Sequence, residues 1–372
     1  MSGFLDGTPL EGGSVGLVHD YLLVMRGAER TFAEIADCDE DAPIHTLLYD
    51  DEGTEGRFDG RDVRTSRLQR LGIRQSGFRR LLPLFPPAAR RLPVKEHDVV
   101  VSSSSAFAHG VQAREDAIHV CYCHTPFRYA WFERARALAE VPVLARPLLR
   151  RLLGSIRRWD RDSADGVTRY VANSQLCRER IQEFWDRDAP VVHPPVDVDR
   201  FETADPEDYF LVVTELVPHK RVDMALEAAR RAGRQVKVVG SGPDRERLEA
   251  GWSDVASFSG RVSDEELNSL YSHAQALIVP NVEEFGIAAV ESQAAGRPVV
   301  GVDAGGVRET VVDGETGVLV EDGNTDAMAE ALRYQEFERF SPGRASRNAN
   351  RFSNETFKER FSAEVRRVAA AA

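Results

Sequence analysis

Cysteine is scarce in this chain. Cys38, Cys121, Cys123 and Cys177 are the only four in 372 residues, too few for a disulfide framework at this length. Long apolar runs are also missing, so no segment is expected to span a membrane. The first residues, Met1-Ser-Gly-Phe-Leu-Asp6, lack a basic region followed by an apolar one and do not read as a secretory signal. Positive charge is in deficit, 48 Lys and Arg against 60 Asp and Glu, a net −12, which argues against nucleic acid as the main partner. No short-period repeat occurs, and no low-complexity tract beyond the terminal alanines. These absences leave a reduced, cytoplasmic protein as the simplest expectation. Cys121-Tyr-Cys123-His124 offers metal-ligand chemistry, but Cys-x-Cys in an apolar run fits alternate positions of a buried strand better.

What is present is ordinary globular composition, 42% hydrophobic and 29% charged, in a chain long enough for two domains. Apolar strand-like runs alternate with helical patterns, the signature of parallel α/β architecture. Strands are predicted at Val15–Val18, Val99–Val101, Ile118–Tyr122 and Tyr170–Ala172, with a helix from Ala28. A second series covers Phe210–Val213, Val236–Val239, Ala276–Val279 and Val299–Val302. Two sheets with crossover helices fit two Rossmann-like domains. The pattern breaks near Pro194–Asp208, rich in Pro and acidic residues. Phe352, Phe357 and Phe361 give a last helical spacing. Charge is uneven: residues 61–98 hold ten basic residues, Arg74 among them, and residues 134–161 hold eight Arg. Basic, apolar segments of this kind suit an anionic lipid surface, or equally helices packed on a sheet with solvated Arg.

The most informative stretch is Asn281-Val-Glu-Glu-Phe-Gly-Ile-Ala-Ala-Val-Glu291, running on to Gly296-Arg-Pro298. Glu283 and Glu291 lie eight positions apart across a loop-to-helix junction, about 12 Å of helical rise. Gly286 allows a close backbone approach, and Gly296-Arg-Pro298 stops the helix. A helix N-terminus aimed between the carboxylates would meet a diphosphate with free N–H groups. A Glu pair alone also suits a solvated surface helix. Together with Phe285-Gly286 and the stop, the stretch closely resembles the E-x7-E signature of retaining GT-B glycosyltransferases of family 4 (group 1). That resemblance implies Glu283 near the donor sugar, Glu291 on the ribose, and Phe285, Gly286 and Ile287 around the donor. It also implies two Rossmann-like domains facing a central cleft, residues 1–200 and 201–345, with a helix in 346–372 crossing back to the N-terminal domain.

Other segments agree in order. Leu216-Val-Pro-His-Lys220-Arg221 puts two cations at a loop-to-helix entry, where they can reach a phosphate. In the family this loop supplies an Arg and a Lys to the diphosphate. Lys220 matches, but the Arg position holds Glu215, so either Arg221 substitutes or donor binding departs from the pattern. His19–Arg30 resembles the family's Gly-Gly-x-Glu loop, with Arg26 in place of the first Gly and Gly27 beside the diphosphate. His124-Thr-Pro-Phe-Arg128-Tyr follows a buried strand, the usual end for ligands in open α/β sheets. It resembles the His-Thr-Pro-x-Arg-Tyr motif of a bacterial polysaccharide and O-antigen mannosyltransferase branch, in which the His faces the donor sugar. Ser102–Gly110, containing His109, also resembles that branch. His19, Arg128 and His109 are accordingly expected toward the acceptor or cleft. Gly240-Ser-Gly242 lacks the third Gly of a dinucleotide fingerprint and resembles a family turn at the nucleotide. Ser263 with Glu266 reads as a capping box, and by resemblance Arg261 and Val262 lie beside the base. Asp303-Ala-Gly305-Gly306 is a Gly-rich turn near the site. Asp197-Val-Asp199 sits in the Pro-rich stretch and reads as a structural turn rather than a metal motif.

The expectation is a metal-independent, cofactor-free retaining hexosyltransferase. Mannose would move from GDP-mannose to a hydroxyl of a glycan or lipid-linked glycan. Lys220, Glu283 and His124 are the catalytic candidates, and Gly27, Arg221, Gly240, Arg261, Val262 and Glu291 join the donor-binding set. Location would be cytoplasmic, with peripheral attachment at the inner face of the membrane as an option. Alternatives are a transferase with a soluble sugar or sugar-phosphate acceptor, or a non-catalytic nucleotide-sugar-binding protein, an idea Glu215 keeps open.

Overall fold

A computed structural model describes residues 3–73 and 77–371; Arg74 lies outside them. The chain divides into two compact units, residues 1–193 with 357–372, and residues 194–356. The first boundary falls at Pro194, inside the Pro-rich stretch, rather than at 201. The second falls at Phe357 rather than at 346.

The first unit holds a six-stranded sheet of order β3-β2-β1-β4-β5-β6, all pairs parallel. Its strands are β1 Val15–His19, β2 Ile44–Thr46, β3 Val63–Thr65, β4 Val99–Ser104, β5 Ile118–Cys123 and β6 Arg169–Ala172. The second unit repeats the plan as β12-β11-β10-β7-β8-β9, also parallel. Its strands are β7 Phe210–Val213, β8 Val236–Val239, β9 Ala256–Gly260, β10 Leu277–Val279, β11 Val299–Val302 and β12 Gly317–Val320. Each sheet therefore has the doubly wound order, reversing direction beside its first strand. Continuous apolar runs form the central strands because helices cover both faces of a parallel sheet.

In the first unit β1, β4 and β5 are buried along their length. The helix Asn354–Ala369 supplies Phe357, Phe361 and Val365 to the core that also holds Leu17, Val101 and Tyr122. Phe357 and Phe361 each meet the Tyr122 ring edge-on at 5.5 Å. Phe352 is not on that helix. It ends a short 3-10 turn, Asn350–Phe352, and packs in the second unit against Phe285 at 5.4 Å.

The basic segments form a 3-10 stretch Phe78–Leu84, a short helix Phe85–Ala89 and a helix Arg146–Ser163. Leu81, Phe85, Ala89, Leu153 and Ile156 are buried in the first unit. Val143, Leu144 and Leu148 are 68%, 96% and 75% exposed, so part of this apolar surface faces outward. No described helix is long and apolar enough to cross a membrane.

Candidate active site

In the second unit the sheet order reverses between β7 and β10. The loops leaving their carboxyl ends depart to opposite sides and open a crevice there. The 3-10 turn Pro218–Lys220 follows β7, and the loop after β10 carries Glu283. The Lys220 ammonium Nζ donates to both Glu283 carboxylate oxygens at 2.7 Å. Asn281 adds an amide N–H to Oε1 at 3.0 Å. Two residues 63 apart in sequence thus meet where the fold predicts a ligand.

The Glu283 loop is clamped by the turn after β11. Gly306 N–H donates to the Glu283 carbonyl at 2.8 Å. A side chain at Gly305 would bring Cβ to 2.3 Å from that oxygen, and one at Gly306 to 2.2 Å from the Phe285 Cα. Only glycine fits either place. Phe285 is buried, and Gly286, at φ 91°, starts the helix Ile287–Ala294. The first N–H groups of that helix have no carbonyl within it to bond.

Glu291, in the second turn of this helix, is buried and has a separate cation. Its Oε1 accepts from Arg200 Nη2 at 2.9 Å and its Oε2 from the Tyr271 hydroxyl at 2.8 Å. Arg200 lies 3.4 Å from Asp264 and over the Phe201 ring. Sequence reasoning missed Arg200 and Tyr271; the stretch containing Asp197 and Asp199 was read as a turn, and it is this turn that delivers Arg200. Arg221 stands apart from the Lys220–Glu283 pair, its guanidinium 2.6 Å from Asp322, while Glu215 is exposed. Arg261 Nε donates to Ser241 Oγ at 3.2 Å, joining the loop after β9 to the Gly240–Gly242 turn, with Val262 half-buried beside it. Ser263 Oγ accepts from Glu266 N–H at 3.2 Å and starts the helix Asp264–His273.

In the first unit, residues alternate between the faces of a strand. Ser103 at the end of β4 joins His19 Nδ1 at 3.1 Å and His124 Nε2 at 2.9 Å. His19 stacks on Phe32 at 4.8 Å. Burial is the main cause that lowers the His19 pKa to about 3, with His124 adding to it, and that lowers His124 to about 4. Both rings are therefore neutral at pH 7. They offer hydrogen bonds rather than charge, and the Ser103 hydroxyl, which can both donate and accept, bridges them.

His109 belongs elsewhere. Its Nδ1 faces Ser104, on the opposite face of β4, at 3.4 Å, and its Nε2 faces the Asp160 carbonyl at 3.3 Å. It packs between Trp159 and Trp185. The structure does not bring it together with His19 and His124. Arg128 is half-exposed, 3.8 Å from Glu133. Gly27 is the first residue of the helix Gly27–Ala36, where Glu29 accepts the Arg26 N–H at 3.2 Å. Burial raises the Glu29 pKa to about 7. Asp20, also missed, is buried after β1 and accepts the N–H groups of Ser105, Phe107 and Ala108, each at 2.6 Å. It fixes the polar loop after β4.

Comparison with known proteins fits this geometry. Residues 25–200 match the Glycosyltransferase Family 4 model and residues 197–352 the Glycosyl transferases group 1 model. A D-inositol 3-phosphate glycosyltransferase of Frankia alni is 34% identical over 46% of this chain and 49% of its own length. A GDP-mannose-dependent alpha-(1-6)-phosphatidylinositol monomannoside mannosyltransferase of Mycolicibacterium smegmatis is 32% identical over 54% of this chain and 65% of its own length. The chain thus spans about half the length of the inositol phosphate relative and less than two thirds of the mannosyltransferase. Among solved structures, Anabaena HepE in complex with UDP superposes with a TM-score of 0.70 at 17% identity, over 95% of this chain and 99% of that one. Sucrose-phosphate synthase from Thermosynechococcus elongatus does so with 0.72 at 15%, over 97% and 100%. Two consecutive family matches on two doubly wound units place the chain among the group 1 glycosyltransferases of GT-B fold.

Proposed function

We propose that the protein is a retaining glycosyltransferase that moves mannose from GDP-mannose to a hydroxyl of a glycan or lipid-linked glycan. The observation that carries this reading is the convergence of Lys220, Glu283 and the start of the helix Ile287–Ala294 at the switch point of the second unit. A cation and free backbone N–H groups suit a diphosphate leaving group. The Lys220–Glu283 pair is then the donor-free arrangement. An incoming diphosphate takes over Lys220 and frees the Glu283 carboxylate for sugar hydroxyls. Glu291, oriented by Arg200 and Tyr271, keeps lone pairs for the ribose. In this reading Arg261, Val262 and Gly240 of the second unit serve the base, and Gly27 of the first unit leaves backbone room for a phosphate. His124, held neutral, takes a sugar hydroxyl, with His19 behind Ser103 fixing its tautomer. Positive charge from Lys220 and the helix serves this step without a metal. The name of the Mycolicibacterium relative supports GDP-mannose. The protein would work in the cytoplasm, with the exposed Leu144 and Leu148 beside Arg146, Arg150 and Arg151 meeting an anionic inner membrane face.

A second reading, transfer to a soluble sugar-phosphate or polyol-phosphate acceptor, is favoured by the inositol phosphate relative. One experiment tests both. Thermal shift with GDP, UDP, ADP and their sugar nucleotides names the base, with roughly 2.7 kcal/mol of stabilisation expected at a hundredfold excess over Kd. Labelled donor is then offered with lipid-linked glycan or with inositol phosphate. No response to any nucleotide by folded protein overturns the proposal.

A further inference from the structure

A cluster elsewhere in the first unit has no part in the reading above. His45 lies in β2, and Glu96 and His97 lie in the connection before β4. Their ligand atoms all fall within 4.8 Å of one another. The two imidazoles are buried and face each other, Nε2 to Nε2, at 2.9 Å. Glu96 Oε1 is 3.7 Å from His97 Nε2, and its side chain is 55% exposed. We propose that His45, Glu96 and His97 bind one divalent transition metal ion of the zinc class.

Three observations carry this. The first is spacing. Two ligands on a tetrahedral ion, each about 2.0–2.2 Å from it, stand roughly 3.3 Å apart. The present separations of 2.9 and 3.7 Å bracket that value, so small side-chain rotations admit an ion. The second is the room made for the pair. A Cβ on Gly16 of β1 would come within 2.2 Å of the His97 ring, so β1 is bare where the ring lies. The third is orientation. Both rings turn Nε2 toward each other, and His97 Nε2 also faces Glu96, while Nδ1, without a hydrogen-bond partner among the described residues, points away. The nitrogens that would ligate therefore already face the other ligands.

The donor set of two imidazoles and one carboxylate suits zinc, cobalt or nickel rather than magnesium or calcium. Glu96, open to solvent, gives the ion an entry path and leaves room for a water as fourth ligand. In the metal-free protein Arg64 fills the place of the ion's charge. It contacts Glu96 and holds Asp62 through Nε at 2.8 Å. Binding would shift Arg64 wholly to Asp62. His45 pairs with Val18 across the sheet, while His19 pairs with Thr46. The cluster therefore lies on the other face of β1 from His19. Its ion would tie β2 to the start of β4 rather than touch the sugar.

The test uses the full chain, stripped with a chelator and titrated with Co2+, then Zn2+. The expected result is a Co2+ absorption band saturating at one equivalent, lost when zinc is added, with a higher Tm in zinc. Glu96→Gln, at an exposed position that leaves folding intact, should weaken zinc binding at least about tenfold. His97→Gln should abolish the band. Arg64→Gln, which removes the competing cation, should tighten binding. No band at one equivalent, a band unchanged in Glu96→Gln, or weaker binding in Arg64→Gln would each overturn the proposal. Should His97→Gln not fold, the Glu96 and Arg64 variants still decide.

Discussion

At the scale of single residues, the two site glutamates are set to different tasks by their partners. Glu283 is held by an ammonium that a diphosphate can take away. Glu291 is held by a guanidinium and a phenol that fix its direction. If Glu291 meets the ribose, wild-type protein should prefer a nucleotide over its 2′,3′-dideoxy form by about tenfold or more, the worth of a hydrogen bond to a charged group. Glu291→Gln should bind both forms alike by calorimetry, and a retained preference would remove the ribose role. Tyr271→Phe should lower the preference without erasing it, since Arg200 remains. Lys220→Ala should act differently. Losing transition-state charge stabilisation should reduce kcat by roughly 10²–10³, measured under saturating donor. These pairings were only half visible in the sequence. Glu283, Glu291 and Lys220 stand in motifs, whereas Arg200 and Glu291 are 91 positions apart and His19 and Ser103 are 84 apart. Only the fold joins them.

At the scale of elements, legibility followed burial. Runs such as Val99-Val-Val101 and Ile118–Tyr122 are buried on both faces and read directly as strands. β3, β9 and β12 are sheet edges with half-exposed positions. β2 is internal, but its three residues are Ile-His-Thr. Their apolar content is too low to announce a strand, and pairing with a neighbour creates them. The turn after β11 is also an element with a job, because it clamps the Glu283 loop. Gly305→Ala would place Cβ against the Glu283 carbonyl and strain a backbone at φ 59°. It should weaken donor binding through a displaced Glu283, with Tm falling by only a few degrees, as read by nucleotide titration and melting together. The helix Arg146–Ser163 and the turn before it carry exposed Leu148 and Leu144 beside Arg. If that surface meets lipid, flotation with anionic liposomes should exceed that with neutral ones, and Leu144→Glu with Leu148→Glu should abolish the difference. Equal flotation with both would leave the segment as packing alone.

At the scale of the whole molecule, the two units differ in how they hold their histidines. The first unit buries His19, His45, His119 and His124, and burial, the largest cause in each case, lowers their pKa to about 3, 4, 3 and 4. The second unit has His219, exposed, and His273, half-buried. A histidine depressed in the folded state stays neutral while its unfolded counterpart takes up a proton below about pH 6.5. The unfolded chain then binds more protons, so stability is full above that pH and falls as pH drops toward 4. Glu29, raised to about 7, works the other way. It is protonated when folded and ionised when unfolded between about pH 4.5 and 7, which adds stability as pH falls. Burial also raises the pKa of Asp20, Asp39 and Asp160, which act as Glu29 does, and lowers that of His97, which joins the other imidazoles. The prediction is that the five imidazoles outweigh these carboxyls. Lowering the pH from 7 to 5 should therefore loosen the first unit selectively. Hydrogen exchange should show β1, β4 and β5 losing protection while β7, β10 and β11 keep theirs. His119→Gln should flatten the pH dependence of the first unit. His119 meets Ser102, on the face of β4 away from His19, so nucleotide binding should be untouched. Equal loss of protection in both units would mean that carboxylates spread through the chain, and not the buried imidazoles, govern its response to acid.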